Sequence, residues 1–150
     1  ATQVSGILAI ANGGTGSSTL AGASIVTYTG SETLTNKTLT NPSVNNDTEG
    51  VVAIGNTGTS QTLSLTSGTF QTATLTGNCT FTMPTATAGK SFILILTQDS
   101  TGGRTATFTS VKWPGGAAPT ITTTATTGRD ILTFVSDGTN WYGTIAQAFA

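Results

Sequence analysis

The sequence predicts an all-β fold, and three observations predict it. Threonine supplies about a quarter of all positions, and its branched Cβ suits a pleated, half-exposed surface better than a helix. Charged residues make up only 7% of the chain, against roughly a quarter in an ordinary globular domain, so hydroxyls replace charges. From Val51 onward, short alternating apolar runs are separated by Gly, Asn, Asp and Pro, the texture of a sandwich or barrel. The expected architecture is a C-terminal antiparallel β-sandwich, jelly-roll-like, over residues 56–150, behind an extended N-terminal arm over residues 1–55.

The arm carries few aromatics and only scattered apolar side chains: Ile7, Leu8, Ile10, Leu20, Ile25, Val26, Leu34, Leu39 and Val44. These cannot close a core alone. Their steady recurrence favours an ordered arm that packs against other chains over a disordered leader. In TLTNKTLTNP (33–42), Leu34 and Leu39 stand five residues apart, on opposite faces of a strand and far apart around a helix. ANGGTGSS (11–18) reads as a Gly-permitted turn, and NPS (41–43) as another, since Pro42 cannot continue a ladder.

In the second part, Leu63 and Leu65 share one face of TLSL. Ala73, Leu75, Cys79, Phe81 and Met83 keep odd numbering through TATLTGNCTFTM, with threonines on the other face, and Gly77-Asn78 is placed for a hairpin between the halves. FILIL (92–96) is apolar on both faces, and ILTFV (131–135) nearly so. Such runs predict central strands covered twice, once by the facing sheet and once, with no helices to hand, by another subunit. DSTGG (99–103) and SDGTN (136–140) read as further hairpins, and WPGGAAP (113–119) as a rigid exposed connection.

Much chemistry is excluded. The chain has no histidine, which removes the commonest general base and catalytic-metal ligand. A net charge of −1 from isolated charges forms no basic stripe for nucleic acid. The longest apolar run, 92–96, is far short of the roughly 20 residues that cross a bilayer, and the first residues lack a signal pattern, so the chain reads as soluble and unprocessed. Cys79, the one cysteine, reads as an inert buried hydrophobe. Asp99, Asp130 and Asp137 fall at strand ends or turns and read as turn carboxylates rather than a glycosidase pair. GGTGSS lacks the ending of a phosphate loop, and NNDTEG (45–50) misses the calcium-loop spacing. No cofactor or metal is expected. Trp113, Trp141 and Tyr142 form either a sugar-stacking platform or a packing cluster, and packing is favoured.

Three stretches resemble bacteriophage virion appendage proteins. ANGGTGSSTLAGA (11–23) resembles the glycine-rich segment near the start of many tail-fibre chains, and ETLTNKTLTNPSV (32–44) is similar to their recurrent linker. The span 68–143, from GTFQTATLTGNCTFTMP to DILTFVSDGTNWYG, looks like a β-sandwich module of phage fibres, head fibres and capsid decoration proteins. The resemblance implies a non-enzymatic homotrimer on the exterior of the virion, attached through its N-terminal part to capsid or tail proteins. Around a threefold axis, three copies of one leucine make an apolar layer that no single chain contains. The candidates for that interface are Leu34, Leu39, Val44, Phe92, Leu94, Leu96, Ile131 and Phe134. Shortness favours a capsid decoration (cement) or head-fibre protein. The alternative is a tail-fibre or receptor-binding protein that recognises host-surface carbohydrate through Trp113, Trp141 and Tyr142.

Overall fold

A computed structural model describes Thr33 and residues 38–149. The chain divides into two units, Ala1–Asn45 and Asn46–Ala150. In the first, residues 38–45 carry no strand and bend at 40–41, where Asn41 takes a φ of 50°. Leu34, the apolar residues from Ile7 to Val26 and the turn expected over 11–18 lie outside the described residues.

The second unit holds nine strands: β1 (Val51–Asn56), β2 (Ser60–Thr62), β3 (Phe70–Leu75), β4 (Cys79–Thr82), β5 (Ser91–Gln98), β6 (Ala106–Phe108), β7 (Val111–Lys112), β8 (Arg129–Ser136) and β9 (Trp141–Phe149). A 3₁₀ turn covers Pro114–Gly116. The strands form a six-stranded sheet in the order β1-β3-β5-β8-β9-β7 and a three-stranded sheet in the order β2-β4-β6. β1 thus belongs to the larger sheet, although the sequence reading placed residues 51–55 in the arm.

All-β and two sheets over one core are as expected, but the pairing differs from a jelly roll. β1, β3 and β5 run parallel, as do β2, β4 and β6. Successive strands alternate between the sheets, so the chain winds as three stacked coils before closing with antiparallel β8 and β9. Parallel neighbours cannot be joined by a tight hairpin, and here each crossover passes through a strand of the opposite sheet. The turns at 77–78 and 99–103 are therefore corners, not hairpins. Only SDGTN forms the expected hairpin, pairing Ser136 with Trp141.

Stacking explains the corner residues. A Cβ on Gly77 would lie 3.1 Å from the carbonyl oxygen of Gly58, the corner of the coil before it. Asn78 Oδ1 in turn accepts the Thr105 amide at 3.1 Å, linking this corner to the next coil. Two buried amides do the same from within. Gln71 Nε2 donates to the carbonyls of Ser64 (2.6 Å) and Gly68 (3.1 Å), fixing the crossover from β2 to β3. Gln98 donates to the Arg104 and Thr122 carbonyls and accepts the Arg104 amide, all within 2.9 Å. Each replaces the ladder bonds that an irregular crossover lacks.

The core follows the strand parity. Ala73, Leu75, Cys79, Phe81 and Met83 are all buried, as the odd numbering predicts. In β5, Phe92, Leu94 and Leu96 point inward, and Ile93 and Ile95 outward and half-buried. In β8, Leu132 and Phe134 point inward, Ile131 and Val135 outward. Burying a residue such as Leu94 or Leu132 contributes about 1.5–3 kcal/mol. Phe81 stacks on Phe108 at 5.0 Å and Phe92 on Phe134 at 4.7 Å, while Phe108 and Phe134 meet across the two sheets at 5.4 Å.

Candidate functional site

The three acids weighed for catalysis are already engaged in structure. Asp99 accepts Arg104 NH2 at 2.9 Å and the amides of Thr101 and Gly102, and the Arg104 hydrogen bond holds its carboxyl below the usual range. Asp130 falls at a strand end, as expected, being the second residue of β8, but it is not a solvated turn carboxylate. It is buried in β8, where its carboxylate accepts the Thr122 amide (2.7 Å), the Thr122 hydroxyl (2.6 Å) and the Ala148 amide (3.1 Å). That set ties the β7–β8 connection to the end of β9.

Asp137 accepts the amides of Asn140 (2.7 Å) and Thr139 (2.8 Å) and the Tyr142 hydroxyl (2.9 Å). These donors, the Asn140 amide foremost, hold its pKa down to about 2, and the hydrogen bond from the Tyr142 hydroxyl to Asp137 raises that of Tyr142. Because the folded value lies below the unfolded one, about 3.9, the contribution of this turn is complete above about pH 4 and is lost as pH falls toward about 2. A carboxyl titration followed by NMR should give Asp137 a midpoint near 2; a midpoint in the ordinary range near 4 would contradict the turn geometry.

The aromatic platform is not assembled. Trp141 is 1% exposed and its indole Nε1 donates to the Pro84 carbonyl at 2.8 Å. Trp113 lies edge-on to Phe108 and Phe134, buried against Gly143. Only Tyr142 is on the surface, so the packing alternative describes both tryptophans. Burial raises the Cys79 thiol, partly offset by a hydrogen bond from Thr57, which makes it a poor nucleophile. No cluster of potential metal ligands occurs among the described residues.

The interface candidates separate cleanly. Leu39 and Val44 are exposed, at 59% and 62%. Phe92, Leu94, Leu96 and Phe134 are spent on the chain's own core, each 2% exposed or less, so a partner cannot touch them. The error lay in counting both faces of an apolar strand toward the interface. Of the strand residues named, Ile131 alone faces outward. It stands in an outward row with Ala53, Thr72, Ile95 and Ala146, beside a second row of Val51, Phe70, Ile93, Thr133 and Thr144. Charged groups are absent from both rows. Their signal in the sequence was the even parity of Phe92, Leu94 and Leu96 with Gln98, which assigns the intervening isoleucines to the other face.

Residues 57–141, more than half of the chain, match the family described as "Putative phage tail fibre C-terminal domain". The chain belongs to this phage tail fibre C-terminal domain family. The protein is therefore an appendage protein of a phage virion, on the exterior of the particle. The matched span begins at the corner after β1 and ends at the start of β9, so it takes in the three-stranded sheet, the aromatic cluster and most of the larger sheet. Comparison with curated proteins and with solved structures found no match.

Proposed function

We propose that this chain is a non-enzymatic structural subunit of a phage tail fibre that works as a homotrimer. The family match over residues 57–141 carries the reading. Coils stacked through continuous parallel ladders, with corners pinned by Gln71, Asn78 and Gln98, suit a part that must transmit load without changing shape. Engagement of Asp99, Asp130 and Asp137 in hydrogen bonds supports a structural rather than a catalytic role. The capsid-decoration reading rested on shortness, and chain length carries no argument where the matched unit is itself a C-terminal domain. Electron microscopy of phage particles labelled with antibody against the chain tests the placement. Label on the tail fibres is the expected result, and label on the capsid lattice would overturn it.

A further inference from the structure

The two sheets present different chemistry outward. The outer face of the three-stranded sheet consists of Ser60, Thr62, Thr80, Thr82 and Thr107, all exposed and all hydroxyl-bearing. The outer face of the six-stranded sheet instead presents Val51, Phe70, Ile93, Ile95, Ile131 and Val135 among its threonines. In a solitary chain both faces would meet the same water, and an antiparallel or mixed sheet with one wet face ordinarily turns polar side chains to it. Arg129 and Lys112 stand at the margins of the apolar face, paired with Thr97 and Tyr142, and Glu49, which accepts the Thr69 hydroxyl, lines it beside Ile93 and Val135. With strands about 4.8 Å apart and like-facing residues about 6.7 Å apart, five strands by four rows give on the order of 500 Å² in projection. A ring of copies divides that face between two neighbours, about half to each contact. One contact is then smaller than the roughly 800 Å² per partner of a standard interface, and the three contacts of a closed ring hold together.

We propose that the outer face of the six-stranded sheet is covered by further copies of this chain about a threefold axis. The inference rests on the homotrimer reading above and names its surface. β5 and β8 lie at the centre of the strand order, so in a closed ring they stand nearest the axis. Three copies of Ile93, and next to them three of Ile95 with Ile131, then form apolar layers that one chain lacks. A ring contact is heterologous, one half of the face meeting the other half of the neighbour's. The bulge in β1 opens a depression of about 290 Å³ at Ala53, Gly55, Thr72 and Thr74, while Ile93, Thr133 and Val135 line a second hollow of about 250 Å³ together with Glu49 and Thr69.

Two variants of the full chain test the surface. Ile95→Cys should give disulfide-linked dimers under mild oxidation, since cysteines near the axis meet in pairs and native Cys79 is buried at 2% exposure. Thr107→Cys, on the hydroxyl face, should give no more than the wild-type chain. Ile95→Asp places an unpaired charge in the contact and should weaken trimer association at least about tenfold in sedimentation, with Thr107→Asp unchanged. A wild-type trimer that neither cross-links through Ile95→Cys nor weakens with Ile95→Asp would overturn this surface and leave the homotrimer reading standing. A wild-type chain that sediments as a 15.0 kDa monomer would overturn both. If Ile95→Asp fails to fold, the cross-linking result decides alone.

Discussion

Phe134→Ala is expected to destabilise the chain by about 3–5 kcal/mol. Phe134 is fully buried and is the hub of the aromatic cluster: it stacks on Phe92 at 4.7 Å, tilts against Phe108 at 5.4 Å and meets the edge of Trp113 at 5.9 Å. These neighbours come from β5, β6 and the turn after β7, so the ring joins both sheets to the closing hairpin. Its removal leaves a cavity whose walls are themselves rigid rings on separate strands, and such a site collapses poorly. At roughly 4–8 °C per kcal/mol for a domain of this size, the thermal midpoint should fall by more than about 10 °C. A change under about 1 kcal/mol, measured by denaturant unfolding, would mean that the two sheets are not joined through this ring.

Gly143→Ala should be the most costly single-methyl addition in the closing hairpin. Gly143 occupies an inward position of β9, and a Cβ there would lie 2.5 Å from Cζ3 and 2.8 Å from Cη2 of Trp113. The indole cannot slide aside, because Phe108 and Phe134 hold it at 5.7 and 5.9 Å. Overpacking of this kind costs about 1–3 kcal/mol. The mechanism makes a sharper statement about pairs. Trp113→Leu leaves room for the methyl, so the double variant should be less destabilised than the two single losses together, by about 1–2 kcal/mol. Strictly additive losses in the unfolding free energies would show that the methyl is accommodated some other way.

Strand content and core parity were legible because both are local. Threonine richness and the odd positions from Ala73 to Met83 each follow from a period of two, and the structure buries those five residues. The hairpin at 136–140 was legible for the same reason, with Asp137 fixing its own turn. The order of strands was not. Gly77-Asn78 and the 99–103 turn carry the same residue types as hairpin loops, yet β3 pairs with β5 rather than β4. What selects a corner over a hairpin is the fit of one coil on the next, as where Gly77 lies over the Gly58 carbonyl, a contact with no signature within either segment. Glutamines at inward parity, Gln71 and Gln98, were the available sign of irregular crossovers, since a buried amide needs backbone partners that a regular ladder would have consumed.

The same parity separates the candidate interface into two sets. Phe92, Leu94 and Leu96 fill the core while Ile93 and Ile95 remain outside it, so FILIL does have two apolar faces and only the second is open to a partner. The sugar-stacking alternative loses Trp113 and Trp141 to the core, leaving Tyr142 bonded to Asp137 as its one surface aromatic among the residues named.

A reconstruction of the tail fibre in the native particle tests the account most directly. The expected density has threefold symmetry where this chain sits, with the six-stranded sheets turned toward the axis, Ile93 and Ile95 in the seam, and the hydroxyl faces of the smaller sheets outward. A fibre that carries single copies with that sheet open to solvent would contradict it.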